Sequence, residues 1–339
     1  MEKLKLGILG AADIAFRRFL PALSGIENVE YVGVAVANKQ EHEDAEDAVL
    51  ETRCEKAAKF KESFGGRIYV GYEELLKDAS IDAVYIPLPP SLHFTWAKKA
   101  MEYGKHVFLE KPCTIDLKDT QALIGIAACN ELALSENYAF IYHRQLQKIR
   151  ELLDEGRIGE LRLIRAAFGF PMRAANDFRY SKRMGGGALL DCGGYVLKVA
   201  QQFAGEQVQV LASSMHRGKK FDVDMFGSVM LSDAQGIDIQ ASYGMDNAYK
   251  CELELWGTQG SILAPRIFTP PADLCAQIIV KGQTEQIVSV EADDQFAHAI
   301  EKFIEAIQSS PKRKTERDNI LRQAVLVNKV REKSGLRDE

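Results

Sequence analysis

The sequence lacks the features that mark several large classes of protein. Its 339 residues contain no apolar run near the ~20 residues that a membrane-spanning helix needs. Its 43 lysines and arginines are outnumbered by 48 aspartates and glutamates, so it lacks the basic excess that favours nucleic acid or an acidic membrane surface. Its six cysteines are scattered without a Cys-x-x-Cys pair, which argues against a zinc site or a disulfide framework. We therefore expect no metal, nucleic-acid or membrane partner.

The amino terminus carries no signal-peptide core and no lipidation motif, and it passes at once into strand-like sequence. Together with the unpaired thiols, this predicts a soluble cytoplasmic protein with reduced cysteines. The composition, 46% hydrophobic and 27% charged, is that of an ordinary globular protein. At ~100–200 residues per domain, 339 residues predict two domains.

Apolar runs alternate with helical patterns over residues 1–130. Runs such as Leu4–Gly10 and Tyr31–Ala37 are nearly continuous, as in parallel strands that are buried on both faces. We predict an α/β fold whose first domain, residues 1–130, is a doubly wound parallel sheet of the Rossmann type. The acidic segment Gln40–Glu51 is interpreted as a solvated helix or loop insertion.

The pattern changes after the helical stretch that ends near Glu155. Segments such as Leu161–Phe170 and Ile237–Tyr243 show alternating polarity and hairpin-like gaps, which are typical of antiparallel strands. We predict a second, α+β domain over residues 131–339, with an open antiparallel sheet. The aromatic residues of its strands are interpreted as sheet packing or as part of a dimer interface; they are Tyr243, Tyr249 and Trp256.

A glycine-rich turn follows the first predicted strand. Gly7-Ile-Leu-Gly10-Ala11-Ala12 ends that strand and opens the first helix. In this setting glycines let backbone N–H groups approach a pyrophosphate, and the helix N-terminus adds partial positive charge. The string alone is a weak signal, but its position favours dinucleotide binding over a plain tight turn.

The end of the second strand indicates which dinucleotide binds. A site that prefers NAD usually has Asp or Glu there, on the ribose 2′-hydroxyl, whereas this chain has Ala37-Asn38-Lys39. Asn38 can donate to a 2′-phosphate and Lys39 can neutralise it, so NADP(H) is the expected cofactor. The alternative is that Lys39 is only a solvated charge.

Two further segments carry candidate catalytic groups. Lys111, in Glu110-Lys111-Pro112, follows a strand whose carboxyl end would line the ligand crevice, where an ammonium can hold a carbonyl oxygen; a surface turn is the alternative. Behind a glycine loop, Asp191 and Tyr195 are spaced i, i+4 and are expected to share one helix face. A capping aspartate and a half-buried tyrosine are the alternative.

These segments together, in this order, resemble the Gfo/Idh/MocA oxidoreductase family. The resemblance covers nearly the whole chain. It implies an N-terminal Rossmann domain, a C-terminal α/β domain with a large open antiparallel sheet, and a homodimer or homotetramer formed through that sheet. Many members have histidine where this chain has Tyr195, and the tyrosine form is similar to a branch that includes sugar-nucleotide ketoreductases.

Within that branch the chain is most similar to NADPH-dependent 3-ketoreductases of nucleotide-activated deoxysugars. The likeness is carried by stretches such as Gly10–Arg18, Asp177–Tyr180 and Glu254–Gly257. It implies reduction of a ring ketone, with hydride from NADPH and a proton from Tyr195. The branch usually ends its second strand with Ser-Arg, in place of Asn38-Lys39, and Arg53 beyond the insertion is a candidate supplement for phosphate binding.

The resemblance also implies roles for individual residues. Lys111 would hold the carbonyl and, as an ammonium, favour ionisation of Tyr195, while Asp191 would orient the pocket through substrate or Lys111. His93 is either a cofactor-path residue or a histidine satisfied by the backbone. The expected cofactor-binding residues are Gly7, Gly10, Ala11, Ala12, Asp13, Ile14, Asn38, Lys39, Pro87, Leu88, His93, Glu110, Lys111, Asn137 and Arg179.

Two other functions remain open on the sequence alone. One is an NADP-linked dehydrogenase of the same family that oxidises a free sugar such as xylose, or a dihydrodiol. The other is a cofactor-binding regulator without catalysis, because a fold does not fix a function. Retention of both Lys111 and Tyr195 argues against the regulator, which has no need of them.

Overall fold

The computed structural model describes residues 3–41, 47–205 and 207–335. The chain divides into two compact units, Met1–Asn137 with Phe296–Leu321, and Tyr138–Gln295 with Arg322–Glu339. The first unit differs from the expected range 1–130 because a further parallel strand ends at Asn137 and because residues 296–321 also belong to it. Residues 42–46 of the acidic segment lie outside the described residues, and a helix begins at Asp47.

The first unit is built on a six-stranded parallel sheet. Its strands are β1 Leu4–Leu9, β2 Val29–Val36, β3 Arg67–Val70, β4 Ala83–Ile86, β5 His106–Glu110 and β6 Leu134–Asn137. Their order is β3-β2-β1-β4-β5-β6, and each neighbouring pair is parallel. The order reverses between β1 and β4, so the carboxyl ends of these two strands form the crevice in which such sheets bind ligands.

Helices cover both faces of this sheet, which explains its continuous apolar strands. The helices are α1 Leu20–Leu23, preceded by a π-helical turn Ala15–Phe19, then α2 Asp47–Phe64, α3 Tyr72–Lys77, α4 Pro90–Glu102 and α5 Leu117–Cys129. Every residue of β4 is buried. The ring of Tyr85 stacks on Phe19 with 3.8 Å between ring centroids, and both side chains are fully buried. The predicted Rossmann architecture is confirmed.

The second unit contains an eight-stranded sheet. Its strands are β7 Leu161–Gly169, β8 Val208–Arg217, β9 Asp224–Asp233, β10 Asp238–Gly244, β11 Lys250–Gly257, β12 Ser261–Ala264, β13 Ala276–Lys281 and β14 Glu285–Val290. The order is β14-β13-β12-β11-β7-β10-β9-β8, and every pair is antiparallel except the parallel pair β7–β10. The expected antiparallel sheet is confirmed for the other pairs, and the parallel pair β7–β10 was not expected.

The two faces of this sheet differ. The helices of the unit are α6 Arg144–Asp154 and α7 Gly194–Phe203, followed later in the chain by α8 Gln295–Gln308 and α9 Ser310–Lys333, which the unit boundaries divide. Helix α7 packs on β7 and β10, and α6 packs on β13 and β14. Tyr243, in β10, is buried in this core, whereas Trp256, in β11, is 50% exposed. Tyr249 does not lie in a strand as expected; it directly precedes β11 and is 49% exposed. Alternate residues of the central strands thus leave one face open.

Within the described ranges, no helix combines the length and the hydropathy that crossing a membrane requires.

Candidate functional site

The glycine turn after β1 requires glycine at position 10. Gly10 has φ 107°, and a Cβ atom there would lie 2.7 Å from Cδ2 of Leu88. Its N–H donates to the Ala35 carbonyl oxygen at 2.9 Å, which fixes the turn against β2. The chain becomes helical at Asp13, directly after the turn. This geometry fits the dinucleotide-binding turn expected from Gly7, Gly10, Ala11, Ala12, Asp13 and Ile14.

The end of β2 forms a capping box that the sequence analysis missed. The Asn38 side-chain oxygen accepts the Glu41 N–H at 3.0 Å, and a Glu41 carboxylate oxygen accepts the Asn38 N–H at 3.2 Å. The same carboxylate accepts the N–H groups of Tyr72 and Glu73, at 2.8 and 2.9 Å, where α3 begins. The Asn-x-x-Glu spacing was the available signal. Lys39 is exposed beside this box.

His93 links the turns that follow β4 and β5. Its ring nitrogens lie 2.8 Å from the Pro112 carbonyl oxygen and 2.7 Å from the Leu88 carbonyl oxygen, and the side chain is fully buried. Burial lowers the pKa of His93 to about 4, while the two carbonyl oxygens oppose that shift because they favour a ring with two N–H donors. This geometry favours the alternative in which the backbone satisfies the histidine. The ring thereby positions Leu88 and the turn that carries Lys111.

A buried hydrogen-bond network lies directly before Lys111. The Tyr85 hydroxyl and the Asn137 amide both donate to one oxygen of Glu110, at 2.6 and 2.7 Å. Burial raises the pKa of Glu110, and these two bonds and the Lys111 charge oppose the rise. Among the described residues, the buried side-chain oxygen of Asn137 has no hydrogen-bond partner. The network fixes the end of β5 and leaves an acceptor for a ligand donor.

In the second unit, Asp224 holds the start of the helix that carries Asp191 and Tyr195. Its carboxylate accepts the Leu189 N–H at 2.7 Å. Gly187 has φ 119°, and a Cβ atom there would collide with the same carboxylate. The sequence analysis missed Asp224 because it lies far from this helix in the chain. A π-helical turn, Leu189–Gly193, also replaces the α-helical start assumed for the shared face.

Asp191 forms an ion pair within its own unit. Its Oδ2 accepts a hydrogen bond from Nε of Arg179 at 2.8 Å, and Nη1 of Arg179 lies 3.0 Å from Oδ1 of Asp177. Burial opposes the charge of Arg179, but the two carboxylates outweigh it and raise the pKa of the guanidinium. Arg179 was expected to contact cofactor and Asp191 to contact substrate or Lys111. In the structure the two side chains bind each other, which fixes the orientation of the Asp191 carboxylate. The contacts of either residue with a ligand stay a prediction.

The ring of Tyr195 is held by an aromatic cluster. It packs edge-on against Tyr138 and Phe168, with centroid distances of 5.2 and 5.1 Å. Phe140 and Phe268 complete the cluster at 5.5 and 5.8 Å. Such packing restricts the ring while its polar end can serve a ligand. Tyr195 is half-buried, which fits both the expected proton donor and the alternative of a tyrosine with a structural role, so the catalytic role stays a prediction.

A buried lysine adjoins this aromatic cluster. Lys198 is 5% exposed, and its ammonium lies 5.6 Å from the centroid of the Tyr138 ring, which contacts Tyr195. The Tyr195-x-x-Lys198 spacing places both residues on one face of α7 and was a signal that the sequence analysis did not use. The unit thus holds a buried lysine one helical turn from the candidate acid.

The structure groups the candidate residues by unit. At the carboxyl ends of the parallel strands, the first unit holds the glycine turn, Asn38, Pro87, Leu88, Glu110, Lys111 and Asn137. The second unit holds Arg179, Asp191 and Tyr195. In the described part of the chain, no group of three or more His, Cys, Asp or Glu side chains has the spacing of a metal site.

Comparisons with known proteins agree with this architecture. Residues 4–138 match the model of an oxidoreductase family with an NAD-binding Rossmann fold, and residues 146–263 match the GFO/IDH/MocA C-terminal domain. A dTDP-3,4-didehydro-2,6-dideoxy-alpha-D-glucose 3-reductase from Actinomadura kijaniata is 37% identical, over 99% of this chain and 96% of that protein. A protein of the same name from Saccharopolyspora spinosa is 39% identical, over 91% and 89%.

A solved structure is also similar over its full length. KijD10, a 3-ketoreductase from Actinomadura kijaniata in complex with NADP and TDP-benzene, superposes with a TM-score of 0.90 at 35% identity. The match covers 98% of each chain.

Proposed function

Because the chain belongs to the GFO/IDH/MocA oxidoreductase family, we propose that it reduces a ring ketone of a nucleotide-activated deoxysugar at C3, with NADPH as the reductant. The observation that carries this proposal is the 37% identity, over 99% of the chain, to a dTDP-didehydro-dideoxyglucose 3-reductase. The NADP and TDP-benzene bound by KijD10 support the same cofactor and a nucleotide-linked substrate. The expected site residues are compatible with this chemistry.

The first unit fits a nicotinamide dinucleotide. Gly10 adopts a backbone conformation that excludes a side chain, and a helix begins directly after it. The unpartnered oxygen of Asn137 offers an acceptor at the carboxyl end of β6 among the described residues. Residues of the glycine turn, with Leu88 and Asn137, would hold the cofactor. When bound, NADPH supplies the hydride for the carbonyl carbon.

Lys111 and Tyr195 would both act on the carbonyl oxygen of the substrate, the first by a hydrogen bond and the second by proton transfer. The Lys111 ammonium donates a hydrogen bond to that oxygen and offsets the negative charge that develops as the new C–H bond forms. The Tyr195 hydroxyl then gives its proton to the alkoxide, which yields the alcohol and a phenolate that solvent reprotonates. A free tyrosine has a pKa of about 10, and a neighbouring ammonium stabilises the phenolate left after transfer.

Asp191 would orient the substrate and would not transfer a proton to it. Its ion pair with Arg179, itself paired with Asp177, holds a carboxylate at a fixed position one helical turn before Tyr195. A fixed carboxylate can accept a hydrogen bond from a sugar hydroxyl and so align the ring. We therefore place Asp191 and Arg179 as positioning residues for the substrate.

We also infer that the protein forms a dimer or a tetramer through the open face of the eight-stranded sheet. A row of facing residues, Glu254, Arg165, Gln240 and Met230, crosses β11, β7, β10 and β9. Met230 is 40% exposed, and Arg165 lies over the half-exposed Trp256 ring at 5.1 Å. Light scattering should give a mass of at least twice 37.8 kDa, reduced by Met230→Lys; a monomeric wild type would contradict the inference.

The six cysteines support a reducing compartment. All of them are free thiols, as is usual for cytoplasmic proteins. We infer that the enzyme works in the cytoplasm; detection of the protein only in an oxidising compartment, by fractionation, would contradict this.

A substrate panel tests the proposed function. Purified protein is mixed with NADPH and a set of nucleotide-linked 3-keto-deoxysugars, and cofactor oxidation is followed by absorbance. We expect turnover with at least one of them and a product with a hydroxyl at C3. Parallel assays offer NADP⁺ with D-xylose and with a dihydrodiol. Faster turnover there would assign the protein to the free-sugar or dihydrodiol dehydrogenases, and NADPH binding without any turnover would favour a regulator.

A further inference from the structure

Arg53, on α2, has a buried guanidinium nitrogen with no hydrogen-bond partner among residues 3–41, 47–205 and 207–335. A guanidinium is always charged and is the side chain best suited to hold a phosphate through two parallel hydrogen bonds. Arg53 lines a cavity of about 380 Å³ together with Val49, Thr52 and Lys56. These four residues recur at helical spacing, so one face of α2 forms this wall of the cavity.

The Tyr72 hydroxyl lies beside the glycine turn, and its pKa responds to the charge of Arg53. Burial raises the pKa of Tyr72 to about 12, and the positive charge of Arg53 opposes the rise, as a nearby cation does. The Tyr72 hydroxyl interacts with the backbone of Ala37, at the end of β2, and lies 3.9 Å from the position of a Cβ atom on Gly10. Arg53 therefore lies near the carboxyl ends of β1 and β2.

A second contact joins α2 to the glycine turn. The Lys56 ammonium lies 3.9 Å from the Asp13 carboxylate, at the first helical residue after the turn. Both side chains are at least half exposed, so the pair is weak in energy. It nevertheless shows that the cavity wall formed by α2 adjoins the segment that would hold a pyrophosphate.

A carboxylate that accepts a hydrogen bond from the ribose 2′-hydroxyl would favour NAD(H). The candidate for that role, Glu41, is already bound to backbone N–H groups. Glu41 is the first carboxylate after β2 in the sequence, and it accepts hydrogen bonds from the backbone N–H groups of Asn38, Tyr72 and Glu73. To accept a bond from a ribose 2′-hydroxyl, it would have to give up these partners at the start of α3. The Asn38 oxygen is also engaged, by the Glu41 N–H.

We propose that Arg53 is the residue that recognises the 2′-phosphate of NADP(H), so that the selectivity comes from helix α2 and not from the end of β2. This inference rests on the proposed use of NADPH. The phosphate would supply the partner that the buried Nη1 atom of Arg53 lacks among the described residues. Stacking of Arg53 on the adenine ring is the competing role, and it makes a different prediction.

Two fragments that differ only in the 2′-phosphate separate these roles. Binding of adenosine 2′,5′-bisphosphate and of 5′-AMP is measured by calorimetry for the wild type, Arg53→Met and Arg53→Lys. Loss of a bidentate, charge-assisted contact should weaken the bisphosphate roughly 10- to 100-fold in Arg53→Met and leave 5′-AMP unchanged. Arg53→Lys, which keeps the charge without the planar fork, should be intermediate. Lys61→Met, at an exposed position in the last turn of α2, is the matched control and should bind both fragments normally.

The outcomes are distinct. Equal weakening of both fragments would assign Arg53 to adenine stacking or to support of α2, and unchanged affinities would remove it from the site; either result overturns the proposal. If Arg53→Met does not fold, as judged by thermal unfolding, the same comparison is made with Arg53→Lys. A wild type that binds 5′-AMP as tightly as the bisphosphate would instead overturn the proposed preference for NADPH, and the inference about Arg53 with it.

Discussion

Replacing Tyr195 with phenylalanine is expected to lower kcat for ketone reduction by about 10²–10⁴-fold, the usual contribution of positioned proton transfer. The substitution removes the hydroxyl that would protonate the alkoxide but keeps the ring in contact with Tyr138, Phe140, Phe168 and Phe268. Substrate binding should therefore change little, so kcat falls while KM stays nearly constant. Steady-state kinetics with a nucleotide-linked 3-keto sugar measures both.

Tyr249→Phe is the matched control, since it removes one hydroxyl from a half-exposed tyrosine of the same unit. It should leave kcat at the wild-type value. If Tyr195→Phe also keeps the wild-type kcat, Tyr195 is not the acid. A rise in KM with unchanged kcat would make it a substrate-binding residue instead.

Replacing Lys111 with methionine is expected to lower kcat by about 10²–10³-fold, as the loss of one donor to a developing oxyanion does in other enzymes. Methionine keeps an unbranched chain of similar length but carries no charge. Removal of the ammonium should also disfavour the ionised form of Tyr195, so the alkaline limb of the kcat profile should move to higher pH. A pH series of steady-state rates measures both effects.

Two variants control this experiment. Lys118→Met removes a charge from an exposed position of α5 in the same unit and should have no effect on kcat. Lys111→Arg keeps the charge with a different shape and should recover part of the rate and the wild-type position of the alkaline limb. Wild-type kcat in Lys111→Met would exclude the proposed role, and a lower kcat with an unmoved limb would confine Lys111 to the carbonyl oxygen.

The parts of the fold that depend on local pattern were predictable. The apolar runs of β1, β2 and β4 read as buried parallel strands, since both faces of that sheet are covered. The alternation of apolar and polar residues in β9 and β10 indicated strands that bury only one face, as the structure shows. The sequence analysis did not predict strand β14. This strand lies at the edge of the sheet and is largely exposed. Because neither of its faces is buried along its length, its sequence lacks the alternation of apolar and polar residues that indicates a strand.

The parts of the site that depend on distant contacts were not predictable. The bond from Leu189 to Asp224 spans 35 residues, and the Glu41 carboxylate reaches N–H groups more than 30 positions away. Nothing in the local sequence around Asp224 or Glu41 indicates these distant partners. The π-helical turn before α7 likewise has no simple spacing signal, because it shifts the register by one residue within an otherwise helical pattern.

Transfer of deuterium tests the central claim most directly. The protein is incubated with a nucleotide-linked 3-keto-deoxysugar and NADPH that carries deuterium at the transferring position of C4, and the product is examined by NMR and mass spectrometry. The account predicts one deuterium on C3 of the sugar, beside a new hydroxyl, at a rate that falls in parallel in the Tyr195→Phe and Lys111→Met variants. Unlabelled sugar, or deuterium at a carbon other than C3, would contradict it.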